Sequence, residues 1–193
     1  MIIIASYNGK RFLENLLPTI KYPYTIIDNG SNDPETIEYL KDKPVLCGNG
    51  GWSPGAYKFA VDNIEADWYF FMHDSMMAKN QNFIDKFSRH DVCGWLSFPM
   101  FFDNSSQEQY IRSMYNLTDK GCFGPIFYST KEAIKKIRWE RPETIDQSHG
   151  MERGITCAFK DAGYDMQFID ELNEERLSQD SYEDFVKFRP HRD

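Results

Sequence analysis

Short apolar runs alternate with stripes of helical spacing through roughly residues 1–98 of the chain. Residues 1–5 are apolar without a break, the pattern of a strand covered on both faces. Phe12, Leu16 and Leu17 then recur at helical spacing, predicting a helix from about Arg11 to Ile20. Tyr24–Asp28 reads as a second strand. Asp33-Pro34-Glu35 opens a second helix, with an acid as N-cap and proline at the first helical position. Residues 44–47 form a short third strand, and the glycine loop 48–51 leads to Ser53-Pro54, again a cap followed by proline. The helix beyond carries Tyr57, Ala60, Val61 and Ile64 at i, i+3, i+4 and i+7. An aromatic strand over 67–72, a helix near Gln81–Arg89 and a strand over Val92–Phe98 continue the alternation. Such an order predicts βαβ units around a mainly parallel sheet.

The second half is less regular. Asp103–Lys120 is polar and reads as an irregular segment arching over the sheet rim. Cys122–Tyr128 is a predicted strand, and Ser129-Thr130-Lys131-Glu132 a capping box opening a helix to about Ile137. Arg138–His149 reads as loop. A helix from Met151 to Ala162 closes at Gly163, and Met166–Ile169 is a last strand. The acidic, then basic, stretch 170–193 matches no element. Without repeats or linkers, the whole of 1–193 is expected to be one α/β domain.

Three strands end in polar groups: Ala5-Ser6-Tyr7-Asn8, Asp28-Asn29-Gly30-Ser31 and His73-Asp74-Ser75. In α/β sheets ligands bind beyond the carboxyl ends of the strands, so three such ends on one rim point to a nucleotide site. The net charge of −8 excludes general nucleic-acid binding, which needs a basic face. It leaves room for a diphosphate held through a divalent cation, the role that suits Asp74. Cys47, Cys93, Cys122 and Cys157 have no metal or dithiol spacing and read as free thiols in a reducing compartment. No apolar run approaches the ~20 residues of a membrane span. The first residues lack a basic region and a cleavage site, so a cytoplasmic protein without a transmembrane segment is expected.

Five motifs in this order resemble the GT-A fold of family-2-type glycosyltransferases, over about residues 1–170. They are Ser6-Tyr7-Asn8-Gly9 after the first strand, Asp28-Asn29-Gly30-Ser31 with Asp33 after the second, and Asn49-Gly50-Gly51 with Gly55-Ala56 after the third. His73-Asp74-Ser75 stands where the family has Asp-x-Asp, and Glu152 begins the run ending in Ala162-Gly163-Tyr164. The resemblance implies a nucleotide-binding half over about 1–98 and an acceptor and catalytic half over about 99–193. It implies transfer of a sugar, with inversion, from a nucleotide-sugar donor (UDP-sugar favoured, GDP-sugar next) to a glycan or other hydroxyl acceptor. Ala5, Ser6, Tyr7, Asn8, Asp28, Gly51, Gly55, His73 and Asp74 would line the nucleotide. Asp74 would hold Mn²⁺ or Mg²⁺, and Glu152 would be the catalytic base. Trp52, His149 and Arg153 are candidates for the acceptor or diphosphate.

Each residue also has a plainer reading. Asp-Asn-Gly-Ser is ordinary turn chemistry, and Asn8 suits a helix cap. At the acidic motif only Asp74 is a carboxylate. An imidazole ligand at His73 would favour manganese, but neighbouring strand residues point to opposite faces, which separates the pair. Glu152, Ile155 and Phe159 share a helix face, so the acid should look toward the sheet from the first turn of its helix. There the dipole would stabilise its charge and lower its pKa. Trp52, Trp95, Phe101, Phe102 and Trp139 are sugar-stacking candidates that packing explains equally well. A nucleotidyltransferase, or a non-catalytic sugar-nucleotide or glycan-binding module, are the rival functions.

Overall fold

The computed structural model describes residues 1–48, 50–100, 105–122, 124, 126–169 and 183–188. Asn49, the candidate aromatics Phe101 and Phe102, and most of 170–193 lie outside the described residues. The elements run β1 (Ile2–Ser6), α1 (Lys10–Leu16), β2 (Tyr24–Asp28), α2 (Pro34–Leu40), β3 (Val45–Cys47), α3 (Trp52–Asn63), β4 (Trp68–His73) and β5 (Met76–Ala78). They continue with α4 (Ile84–Phe87), β6 (Val92–Trp95), β7 (Ser97–Pro99), α5 (Ser106–Met114), β8 (Lys120–Cys122) and β9 (Phe127–Thr130). α6 (Lys131–Lys136), α7 (Ile145–Asp161), β10 (Gln167–Ile169) and β11 (Phe185–Lys187) complete the order.

The main sheet has the order β10-β6-β9-β4-β1-β2-β3, parallel except for β9, which runs against both neighbours. Two small ladders flank it, β5 with β11 and β7 with β8, both antiparallel. The mainly parallel α/β architecture is thus the one the strand–helix alternation predicts.

Strand parity sorts the core into two layers. Ile3, Ala5, Ile27, Tyr69 and Phe71 face α3 and α7, meeting Ala56, Tyr57, Ile155 and Phe159. Ile2, Ile4, Ile26, Phe70 and Met72 face the other way, onto Leu13, Leu16, Leu40, Phe83 and Phe185. Burying a large aliphatic or aromatic side chain contributes roughly 1.5–3 kcal/mol, so exchanging the faces of β1 and β4 would be prohibitive. This parity also fixes which way every polar residue at a strand end points.

Several boundaries differ from the sequence expectations. The first helix stops at Leu16 and tightens into a 3₁₀ turn over Leu17–Thr19, because Pro18 cannot donate within an α-helix. The 81–89 helix shrinks to one turn, Ile84–Phe87. The cap of α6 is Thr130, not Ser129, accepting from Ala133 N at 3.4 Å. The cap of α3 is Gly51 rather than Ser53, so Pro54 falls within the first turn. The irregular arch expected over 103–120 contains a full helix, α5, whose cap Ser105 accepts from Glu108 N at 3.3 Å. Finally, α7 begins at Ile145 with Thr144 as cap, six residues before the predicted start at Met151.

α5 lies against α7 at two glycines. A Cβ on Gly150 would come within 2.9 Å of Tyr110 Cδ1 and 3.1 Å of the Gln107 carbonyl oxygen. Ile111 and Tyr115 fill the contact, and the buried carboxylate of Glu108 takes Arg112 Nε at 2.6 Å.

Candidate active site

The loops after β1 and β2 are stitched together at the carboxyl rim. Asn8, in a left-handed conformation with φ 50°, turns its side chain across to the second loop. Its Oδ1 accepts from Asn32 N at 2.9 Å and Asp33 N at 3.0 Å, while its backbone N–H donates to Ser31 Oγ at 2.8 Å. Asp28 closes its own turn, accepting from Ser31 Oγ at 2.6 Å and Ser31 N at 3.2 Å. Tyr7, 55% exposed, stands free of the knot. Ala5 pairs with Ile27 on one side and His73 on the other, and Ser6 with Asp28, so Ala5, Ser6, Asp28 and His73 of the predicted nucleotide residues are neighbours along one edge of the sheet.

Asp74 points to the α1 side of the sheet. Its Oδ2 accepts from Ser6 Oγ at 2.8 Å, and the N–H groups of Ser75 and Tyr7 also donate to the carboxylate. Burial outweighs these donors and pushes its pKa up to about 6. Gly9 closes the cage, since a Cβ there would lie 2.0 Å from Asp74 Oδ2 and 2.3 Å from Ser6 Oγ. The donor set therefore does not fit the cation expected at Asp74. The single carboxylate is engaged by N–H and O–H donors, and His73 lies on the opposite face. Among the described residues no three His, Cys, Asp or Glu side chains gather as a metal site needs.

The α3–α7 side of the rim holds the groups suited to proton chemistry. β10 is parallel to β6, so α7, which feeds it, runs down against the strands. Glu152 is its eighth residue, about two turns in, and not in the first turn as expected. Burial pushes its pKa up to about 7, opposed by the charges of Lys187 and Arg153. The predicted lowering by the helix dipole is overturned, because the dipole acts only within the first turn while desolvation acts wherever solvent is excluded.

Across from it, Tyr57 on α3 is fully buried and its ring lies 6.4 Å from that of His73. Tyr57 Oη and His73 Nε2 are buried without hydrogen-bond partners among the described residues. Burial, then the charges of Glu152 and Asp74, raise the Tyr57 pKa well above its ordinary value. Burial and the Lys187 charge lower His73 to about 3, so its imidazole is neutral at any physiological pH. Lys187 is held beside the strand ends by the β5–β11 ladder, where it pairs with Met76.

The glycine loop before α3 is left-handed at Gly50 (φ 76°), Gly51 (φ 88°) and Trp52 (φ 54°). Arg141 lies across it, with Cγ and Nε 3.2 Å from where a Cβ of Gly51 would be. Gly55 lets the loop fold back, since its Cβ would meet the Gly50 carbonyl oxygen at 2.8 Å. Trp52 is 43% exposed, and its carbonyl accepts from Asn29 Nδ2 at 3.0 Å. By contrast, Trp95 packs on Phe185 and Trp139 on Phe71, and both are buried. His149 is exposed and turned toward Gln107 of α5.

Tyr57, Lys187 and Arg141 were missed as site residues by sequence reasoning. Tyr57 sits in a periodic apolar stripe that reads as core. Lys187 and Arg141 fall in segments without pattern, far in sequence from the strand-end acids, so no local signal marks them.

No protein-family model matches the chain, and no curated protein sequence matches it. Solved structures do. TarS 1-349 from S. aureus superposes with a TM-score of 0.51 at 14% identity, over 87% of this chain and 57% of that one. The same protein with UDP-GlcNAc gives 0.50 at 14%. Glucosyl-3-phosphoglycerate synthase from Mycobacterium tuberculosis, with Mn²⁺, UDP and phosphoglyceric acid, gives 0.57 at 10% identity, over 86% and 66% of the two chains. The bifunctional IspDF from Campylobacter jejuni gives 0.51 at 15%, over 91% and 52%. The chain spans a little over half the length of TarS 1-349 and IspDF, and about two thirds of the synthase. At these identities the likeness is one of fold: the chain has the GT-A fold.

Proposed function

We propose that this GT-A chain is a glycosyltransferase that moves a sugar from a nucleotide-diphosphate donor to an acceptor hydroxyl, with inversion and with Glu152 as base. The observation that carries this reading is the half-buried Glu152 carboxyl, titrating near 7, at the sheet rim of this fold. A base is most useful when its pKa lies near the working pH. The acceptor oxygen attacks the anomeric carbon as its proton passes to a Glu152 carboxylate oxygen. The electron pair of the anomeric C–O bond leaves with the diphosphate on the opposite side. One carboxylate suffices for such a displacement, in keeping with inversion.

The strip Ala5–Asn8 with Asp28, Gly51 and Gly55 is our donor site. Asp74 serves it by ordering the β1–α1 loop through Ser6, Tyr7 and Gly9. Trp52 and Arg153 are our candidates at the sugar and the diphosphate, and His149 the outermost candidate for the acceptor. UDP is the favoured nucleotide, since TarS is known with UDP-GlcNAc and the synthase with UDP; GDP is next. The synthase complex also holds Mn²⁺. An ion does not fit the donors around Asp74 here, and the steps above run without one. Residues 1–98 and 99–193 act in this reading as the donor and acceptor halves of one domain. Among the described residues no helix is long and apolar enough to cross a membrane; a cytoplasmic setting is part of the proposal.

Release of nucleotide from UDP- and GDP-sugars, with and without hydroxyl acceptors, tests this. Wild-type protein is expected to release nucleotide, and Glu152→Gln to lose release while keeping nucleotide affinity. Unchanged turnover in the variant removes Glu152 from the role of base. A protein that binds donor without ever releasing nucleotide is a binding module, the reading favoured by the engaged Asp74.

A further inference from the structure

We infer that in this donor site the leaving diphosphate is neutralised by protein cations, Lys187 and Arg141, in place of a divalent metal ion. The inference rests on the glycosyltransferase reading and sharpens it. As the anomeric C–O bond breaks, its electron pair adds one negative charge to the diphosphate, and some positive group must receive it. Asp74, the residue that the fold would use to recruit an ion, spends its carboxylate on Ser6, Tyr7 and Ser75, with Gly9 packed against it. His73 faces away from Asp74 and is kept neutral. Asp74 is the one carboxylate at this strand end among the described residues, and its oxygens are already taken by N–H and O–H donors.

Positive charge is instead built into the chain at two places, the β5–β11 ladder and the glycine loop before α3. The β5–β11 ladder ties Lys187 to Met76, and Phe188 N donates to Ser75 O at 2.8 Å, so the lysine rides on the segment directly after Asp74. Its charge is felt at both His73 and Glu152. Arg141 lies over Gly50, Gly51 and Gly55, where any side chain on Gly51 or Gly55 would displace it or the loop. Guanidinium and ammonium groups are the usual protein partners of phosphate oxygens. On the α3 side of the same rim, Tyr57 Oη and His73 Nε2, a hydroxyl donor and an imidazole nitrogen, are left without partners among the described residues. Buried polar atoms are rarely left so unless another group completes them.

The test is nucleotide affinity by calorimetry, with UDP, GDP, dTDP and CDP, each in chelator and in millimolar Mn²⁺ or Mg²⁺. We expect one nucleotide to bind in chelator with an affinity within about threefold of that in metal. Lys187→Met and Arg141→Met should each weaken it about tenfold to a hundredfold in chelator, the loss of one charge-assisted contact. Lys187→Arg should restore most of it. Binding that requires metal overturns the inference and leaves the donor site standing. So does wild-type affinity in folded Lys187→Met and Arg141→Met. Absence of binding to every nucleotide, with or without metal, overturns the glycosyltransferase reading and this inference together. If Lys187→Met fails to fold, the chelator comparison on wild type and the Arg141→Met variant still decide the matter.

Discussion

Glu152→Gln should make the protein more stable at alkaline pH while it abolishes transfer. The carboxyl rises from its ordinary 4.5 to about 7 in the folded protein because burial penalises the charged form. Between these two values the folded state holds a proton that the unfolded state has lost. Stability therefore falls as pH rises through the window from 4.5 to 7, and stays lowered above it. At about 1.36 kcal/mol per pH unit the full effect is about 3 kcal/mol. Solvent at the outer edge of the half-buried side chain trims this to about 2–3 kcal/mol. Glutamine mimics the neutral acid, so the variant is spared the cost. Urea unfolding of both proteins from pH 4.5 to 8.5 reads it directly. The stability difference should be near zero at the acid end and reach about 2–3 kcal/mol by pH 8, a rise in Tm of roughly 4–12 °C. A difference that stays flat across the window refutes the desolvation of Glu152, and with it the argument that the residue is tuned as a base.

Three further outcomes follow from the packing. Gly9→Ala drives a methyl to within 2.0 Å of Asp74 Oδ2 and should cost about 1–3 kcal/mol in urea unfolding; a neutral effect means that the Ser6–Asp74 cage is absent. Gly150→Ala sets a helix-propensity gain of about 1 kcal/mol against a collision with Tyr110 and the Gln107 carbonyl. Net destabilisation is expected, and a more stable variant places α5 elsewhere. Tyr57→Phe deletes a buried hydroxyl that has no partner among the described residues. The ligand-free protein should be unchanged or slightly more stable by thermal melt, because an unsatisfied group is removed. A loss above about 1 kcal/mol shows that the hydroxyl is paired.

The sheet was legible because strand signals are local. Each strand of the sheet buried on both faces reads as an unbroken apolar run, and parity along such a run is a covalent property of the chain. That is why His73 and Asp74 could be assigned to opposite faces before any packing was known. The strip Ala5–Asn8 beside Asp28 follows equally from parallel order alone. α5 was hidden for the opposite reason: its buried stripe is little more than Ile111 and Tyr115 in a polar stretch, although Ser105-x-x-Glu108 is a capping box that could have announced it. The start of α7 was missed because its first turns, with Ile145 exposed, carry no apolar stripe to mark them.

The sequence by itself determined the order of elements, the mainly parallel sheet, and the rim on which the polar strand ends meet. Only the tertiary structure decided what those groups can do. Glu152 stands mid-helix and largely screened from solvent, so its pKa moves up, where a first-turn carboxylate would move down. Asp74 is drawn into the β1–α1 loop, and a lysine more than a hundred residues away in sequence is set opposite Met76 by the β5–β11 pairing, where its charge reaches His73 and Glu152. Desolvation and long-range charge depend on which surfaces exclude water together, and no local pattern of residues encodes that.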